Sequence, residues 1–362
     1  MKKKKRIAVA MSGGVDSSTA AALLKEQGHD VIGLTMRLWS DASSCAPSSR
    51  ACCAPEDIYD ARRVAESLDI PFYVVDYEVP FQRHVVDDFI RSYTAGKTPN
   101  PCIRCNQSMK FERLLAKAQA LGADALATGH YARIVQREDG HPELWRGLDR
   151  RKDQSYFLFA TTLGQLAHIA FPLGGLSKAE TRQVAERAGL HVEQKAESQD
   201  LCFVPDQDYR AFFQKHAPEA LRAGEIVHQD GQLLGQHKGL PLYTIGQRRG
   251  LGIAAKHPLY VIRIDAALNQ LVVGPKEALL SRSFVMGDLN WLGREPPNVQ
   301  TSLEARIRYA AQPAPAIVEP LEKNRLRVTF STLQHSITPG QAAVLYRGDR
   351  VLGGGWILES EG

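Results

Sequence analysis

The chain has no internal repeat, no low-complexity tract and no cysteine beyond residue 202. The absence of repeats excludes solenoids and propellers. No long apolar run follows the basic start Lys2-Lys3-Lys4-Lys5-Arg6. Ile7-Ala8-Val9-Ala10-Met11 is short and leads straight into polar residues, so neither a secretory signal nor a membrane span is expected. The six cysteines are Cys45, Cys52, Cys53, Cys102, Cys105 and Cys202. Without an export signal they argue for catalytic or metal-binding thiols in a reducing, cytoplasmic setting rather than a disulfide scaffold. Charge of neither sign dominates: 45 Lys and Arg against 40 Asp and Glu leave +5. That permits a polyanionic partner without demanding one. A length of 362 residues suits two or three domains.

A kinase-type phosphate loop is also missing, since no G-x-x-x-x-G-K-[ST] occurs at the first glycine-rich turn. What stands there is Ser12-Gly13-Gly14-Val15-Asp16-Ser17-Ser18, between an apolar β-prone run and an Ala/Leu-rich helical stretch. Glycines let backbone N–H groups approach an anion, and the helix start adds unsatisfied donors and a positive dipole end. The stretch resembles the SGG-x-DS loop of enzymes that transfer AMP from ATP and release pyrophosphate. A ligand-free βα turn is the plainer alternative.

The first 130 residues alternate strand-like and helix-like segments. Strands are expected at 30–38, 72–77 and 124–128, and helices at 56–68, 81–93 and 111–121. This predicts an α/β fold with a parallel sheet wrapped by helices, whose ligands sit at the carboxyl ends of the strands. A capping box at Ser177-Lys178-Ala179-Glu180 opens a further helix, and 206–216 reads as another. Composition then changes. Asp230-Gly231 signals a two-residue hairpin, and short strands are read at 259–265, 270–274, 303–309, 325–330, 342–346 and 351–358. The expected organisation is an ATP-binding and catalytic α/β domain over 1–217, a small β-rich central domain over 218–275, and a C-terminal β-barrel over 276–362 that contacts the polyanion.

Cys105 lies in Thr98-Pro99-Asn100-Pro101-Cys102-Ile103-Arg104-Cys105-Asn106, ahead of a helical run read from about Met109. A thiol near a helix start, with Arg104 and Lys110 close in sequence, is expected to be nucleophilic. Cys202 lies in Glu197-Ser198-Gln199-Asp200-Leu201-Cys202-Phe203. Either alone reads equally well as an ordinary thiol. Cys102-x-x-Cys105 is half a zinc site, but the adjacent pair Cys52-Cys53 does not complete it. Three thiolates from Cys102, Cys105 and Cys202 would suffice for an iron–sulfur cluster with one open iron. Gly250-Leu251-Gly252 imitates a dinucleotide fingerprint without the strand and helix that would support it. Basic clusters at 146–154, 306–309 and 347–350, with Tyr156, Phe157 and Tyr309 nearby, suit a folded RNA held through its phosphates.

Taken together, these segments resemble the tRNA-specific 2-thiouridylase family over nearly the whole chain. The likeness rests on 11–17, Asn100-Pro-x-x-x-Cys105-Asn106, Ala127-Thr-Gly-His-Tyr131-Ala-Arg, Lys152-Asp-Gln-Ser-Tyr-Phe157-Leu, the Cys202 segment, 243–252 and Thr338-Pro-Gly-Gln341. The resemblance implies an ATP-dependent sulfurtransferase that replaces O2 of the wobble uridine of tRNA with sulfur. It implies that Ala10, Met11, Ser12, Gly13, Gly14, Val15, Asp16, Ser17, Met36 and Gly129 hold ATP, with Mg²⁺ on the pyrophosphate, helped by Asp16. Cys202 would carry a persulfide sulfur delivered by a donor protein, a cysteine desulfurase or a sulfur-relay protein. Cys105 would be the nucleophile, attacking C2 of the adenylated base, or releasing sulfide from Cys202 and closing a Cys105–Cys202 disulfide that a reductant resets.

The resemblance places Asn100, Pro101 and Cys102 against the target base, flipped out of the anticodon loop. It places His130, Lys152, Asp153, Gln154, Arg308, Tyr309 and Gln341 along the tRNA. One position departs: where the family commonly has Asp, this chain has Cys102. That departure keeps the iron–sulfur alternative, with Cys102, Cys105 and Cys202 as ligands, in view. An amidotransferase or ligase of the same loop class would need an ammonia-supplying domain or an amino-acid site, and neither is visible. A non-catalytic RNA-binding protein would leave the ATP loop idle.

Overall fold

The computed structural model describes residues 4–39, 55–191, 201–204, 208–293 and 295–361. Cys45, Cys52 and Cys53, with the rest of residues 40–54, residues 1–3, residues 197–200 of the Cys202 motif and Pro205 lie outside the described residues.

Strands β1 (Arg6–Ala10), β2 (Asp30–Arg37), β3 (Phe72–Asp76) and β4 (Ala125–Ala127) pair in parallel. A hairpin of β5 (Ala132–Gln136) and β6 (Pro142–Arg146) follows, and β7 (Ile169–Ala170) completes a five-stranded sheet in the order β3-β2-β1-β4-β7. In β1, Ile7 and Val9 pack under helix α1 (Val15–Glu26), while Ala8 faces Phe111 and Leu114 on the opposite side. Burial on both faces explains why β1 reads as an unbroken apolar run.

Residues 101–120 form one continuous helical stretch, ten residues earlier than expected. Asn100 caps it by accepting a hydrogen bond from the Ile103 N–H at 3.3 Å, and Pro101 takes the first helical position, where its missing N–H is harmless. Cys105–Leu114 winds as a π-helix, so Cys105 sits within the helix rather than before it. The capping box at Ser177 and Glu180 is present, and the helix expected from residue 206 starts at Tyr209, capped by Asp208.

The central sheet has the order β10-β11-β8-β9, from β8 (Gly224–His228), β9 (Leu233–His237), β10 (Tyr260–Asp265) and β11 (Gln270–Gly274). The hairpin at Asp230-Gly231 is there, but its turn is longer than two residues: the His228 N–H already bonds the Gln232 carbonyl.

The C-terminal strands are β12 (Leu280–Trp291), β13 (Thr301–Arg306), β14 (Ala314–Leu321), β15 (Arg325–His335), β16 (Ala342–Arg347) and β17 (Arg350–Glu361). Pairing of β12 with both β15 and β17 closes them into a six-stranded barrel. The sequence reading missed β12 and β14. β14 contains Pro315 and Pro320, which ordinarily mark strand ends. The β5–β6 hairpin, also missed, extends the barrel sheet through Arg350 and Trp145, joining it to the parallel-sheet half. Among the described residues no helix is long and apolar enough to cross a membrane.

Candidate active site

The loop after β1 is built to keep its own backbone ordered and its mouth open. Thr35 Oγ1 donates to the Met11 carbonyl at 2.7 Å, and Ser17 Oγ accepts from the Ser12 N–H at 3.1 Å. Ser18 and Thr19 turn back on carbonyls of Gly14 and Val15, so these hydroxyls brace the helix start. Gly14 is the N-cap and has no side chain to cap α1, which leaves leading N–H groups for an anion. Gly13 has φ +70°, and a Cβ there would lie 2.3 Å from the Asp57 carbonyl oxygen. Gly129, after β4, comes so close that a Cβ would lie 2.7 Å from the Ser17 nitrogen. These glycines form a cradle that side chains would fill, which suits a triphosphate.

Asp16 is already occupied. Lys178 Nζ lies 2.7 and 2.9 Å from its two carboxylate oxygens, and the Tyr131 hydroxyl donates to it at 2.8 Å. Among the described residues no group of three or more His, Cys, Asp or Glu could hold a metal ion. The expected help from Asp16 to magnesium is therefore not what the side chain is arranged to give. The iron–sulfur reading is not supported either: Cys102, Cys105 and Cys202 are not among any such group in the described residues. Cys102 is exposed, whereas Cys105 and Cys202 are half-buried.

A cavity of about 710 Å³ joins these parts. Met11, Ser12, Asp16 and Met36 line it together with Pro101, Cys102, Cys105 and Cys202. His130, Lys152, Gln154 and Tyr309 also reach it. The backbone cradle of Ala10, Gly13, Gly14, Val15, Ser17 and Gly129 stands beside it rather than in its lining.

Cys105 and Cys202 both pack against one aromatic cluster. Phe203, almost fully buried, holds the Cys202 segment down, with its ring 5.1 Å from Phe89 and 5.8 Å from Phe81. That cluster is the physical reason two thiols so distant in sequence share a cavity.

His130 is buried, with its Nδ1 2.7 Å from the Thr128 hydroxyl. Burial, reinforced by the Lys110 charge, pushes its pKa well below the ordinary value. It therefore meets any ligand as a neutral ring, not as a cation on a phosphate. The sign is clear: the folded state keeps His130 neutral while the unfolded chain protonates it. Stability is fully present above pH ~6.5 and falls as pH drops below it. Thermal melts from pH 8 to 5 should show this acid-side loss, reduced in His130→Asn.

Asp153 does not face outward as expected of a tRNA contact. Its side chain has no exposed surface and accepts from Arg146 Nε at 3.2 Å, Arg306 Nη1 at 3.1 Å and the N–H groups of Gly147 and Ser155. It supports the loop bearing Lys152 and Gln154 and ties it to the barrel. Asp153→Ala strands two nearly buried guanidinium groups and should cost about 3–5 kcal/mol, read by denaturant unfolding.

Gln341 likewise points inward to the same assembly. Its Nε2 donates to the carbonyls of Thr98 at 3.1 Å and Pro99 at 3.3 Å, just ahead of Asn100. Arg308 bonds the His335 carbonyl, while the Tyr309 ring lies 4.5 Å from that of Phe157, tilted 39° to it, and stays partly exposed. The residues missed from sequence are Lys178, Tyr131 and Arg306. Lys178 stood within the capping box and Tyr131 within the Gly129 motif, but only the fold brings either to Asp16.

Family models match the chain in three consecutive pieces. These are a tRNA methyl transferase HUP domain over residues 5–206, a tRNA methyl transferase PRC-barrel domain over 210–275, and an aminomethyltransferase β-barrel domain over 281–357. The chain is 59% identical over 360 residues to the protein from Magnetococcus marinus named tRNA-specific 2-thiouridylase MnmA, covering 99% of this chain and all of that one. The chain belongs to the tRNA-specific 2-thiouridylase family. Proteins of the same name from Geobacter metallireducens and Rickettsia massiliae are 55% and 50% identical, each over 98% of this chain and 97% of theirs. Membership extends over all three pieces of the fold, so the barrel and the central sheet belong to the family as much as the phosphate loop does.

Proposed function

We propose that this protein carries out ATP-dependent 2-thiolation of the wobble uridine of tRNA in the cytoplasm. The observation that carries the reading is one cavity lined both by phosphate-loop residues Met11, Ser12 and Asp16 and by Cys105 and Cys202. The loop from Ala10 to Ser17, with Met36 and Gly129, holds ATP, and magnesium comes with it. Asn100, Pro101 and Cys102 flank the flipped base, while Lys152, Gln154, Tyr309 and the surfaces around His130, Arg308 and Gln341 take the tRNA. Residues 1–217, 218–275 and 276–362 act as catalytic, central and tRNA-contacting units.

O2 of the uracil attacks the α-phosphorus, and the pyrophosphate leaves with the electron pair of the broken bond. Adenylation converts a poor leaving oxygen into AMP. Cys202 bears a terminal sulfur received from a persulfide donor protein. Cys105 either attacks C2 of the activated base and expels AMP, or attacks Cys202 Sγ first, forming a Cys105–Cys202 disulfide and releasing hydrosulfide. In the first route the terminal sulfur of Cys202 then displaces Cys105 from C2. The freed Cys105 thiolate attacks Cys202 Sγ, closing the disulfide and releasing the 2-thiouridine. In the second route hydrosulfide adds to C2, AMP departs, and an external dithiol returns two electrons to the disulfide.

The test is anaerobic thiolation of unmodified tRNA by metal-free protein with ATP, Mg²⁺ and a persulfide donor, reading nucleosides by mass spectrometry. 2-Thiouridine at the wobble position is the expected product. Its absence while ATP and tRNA both bind would overturn the reading.

A further inference from the structure

Resting on the proposed function, we propose that Lys110 is a further catalytic residue, the cation that neutralises the α-phosphate while AMP is transferred to the uracil. Lys110 is half-buried and lines the cavity together with Ser12, Asp16, Cys105 and His130. Its position follows from the unusual winding of Cys105–Leu114. In a π-helix the hydrogen bonds run from residue i to i+5, which stacks Lys110 one turn beyond Cys105 on the same side. A sequence reading as a plain α-helix would set the two on different faces.

Arg151 and Lys152 also line the cavity, on the loop that the proposed function gives to the tRNA, and the remaining cations near the site are committed to carboxylates. Lys178 is paired with Asp16. Arg104, which stood as close to Cys105 in sequence, lies 4.3 Å over the Trp356 ring of the barrel and 3.4 Å from Asp88. Arg146 and Arg306 are bound to Asp153. Among the described residues Lys110 meets no carboxylate within ion-pair distance, and its field is felt by the buried ring of His130. A half-buried ammonium without a counter-ion is costly to keep unless an anion arrives.

Its place also selects which anion. The phosphate loop binds the pyrophosphate end of the nucleotide, and the uracil lies by Cys105. The α-phosphorus must sit between them, and Lys110 is flanked by Cys105 on its own helix and by His130, next to Gly129. As O2 attacks, the O2–Pα bond forms and the bond to the α,β-bridging oxygen breaks. The freed electron pair leaves on pyrophosphate and the uracil N3 proton passes to solvent. Negative charge on the equatorial oxygens is carried through that step, which a fixed cation stabilises.

The experiment uses the full chain with Lys110→Met, which keeps the stem and removes the charge, and Lys110→Arg, which keeps the charge. Three quantities are read: single-turnover tRNA-dependent pyrophosphate release, affinities for ATP and tRNA, and the pH dependence of Cys105 alkylation followed by peptide mass. The expected result is a loss of about 100-fold in pyrophosphate release for Lys110→Met. Lys110→Arg should keep about a tenth or more of the rate, with melting temperatures, both affinities and the alkylation profile little changed. Release within about threefold of the unsubstituted chain would overturn the assignment. So would a loss that merely follows weakened tRNA binding, or a shifted alkylation profile with release intact. Failure of the unsubstituted chain to thiolate tRNA would instead overturn the proposed function.

Discussion

Cys202→Ala abolishes 2-thiouridine formation, by about 10⁴-fold or more, while tRNA-dependent pyrophosphate release continues. The two half-reactions share a cavity but use different groups in it. Adenylation needs the phosphate loop and the uracil, and the Cys202 sulfur takes no part until AMP is attached. Cys105→Ala gives the same loss of thiolation. Both side chains are half-buried against the aromatic cluster around Phe89, so trimming either to a methyl group leaves the packing of Phe203 in place. Melting temperatures of the two variants should stay close to that of the unsubstituted chain. The measurement is a paired assay on one reaction mixture, nucleosides by mass spectrometry and pyrophosphate by enzymatic coupling. Loss of pyrophosphate release in Cys202→Ala would mean that sulfur loading gates adenylation, and would sink the separation of the steps.

Gly129→Ala lowers tRNA-dependent pyrophosphate release by about 100-fold or more. The added Cβ would stand 2.7 Å from the Ser17 nitrogen and 2.8 Å from the Asp16 carbonyl carbon. Both contacts are backbone, so no side-chain rotation relieves them, and the opening turn of α1 must move. That turn carries the N–H groups meant for phosphate, so a displacement well under an ångström misaligns the nucleotide. Gly164→Ala is the matched control: nothing lies within 4 Å of its Cβ, and its rate should be unchanged. Equal rates for Gly129→Ala and the unsubstituted chain would mean that the phosphate loop is elsewhere.

The part of this site that is legible in sequence is the part whose chemistry is local. Ser12 to Ser18 announce a phosphate loop because the strand, the glycines and the helix start are neighbours in the chain. Asn100 and Pro101 carry a local signal too, an N-cap followed by proline at the first helical position, which opens the helix ten residues ahead of the expected start. The contacts that set each side chain's task are long-range. Asp153 in a basic stretch looks like part of an RNA patch, yet Arg306, a strand of the barrel away, draws its carboxylate inward. Lys178 reads as an ordinary capping-box residue until the packing of its helix on α1 brings it to Asp16. The π-helical winding that aims Lys110 has no signature in the residues themselves.

Uridine labelled with ¹⁸O at O2 of the wobble position tests the account most directly. The tRNA is thiolated in unlabelled water, and AMP, pyrophosphate and water are analysed by mass spectrometry. Attack of O2 on the α-phosphorus predicts one ¹⁸O atom in AMP for each 2-thiouridine made. The label in water or in pyrophosphate, with 2-thiouridine formed, would contradict adenylation of the base.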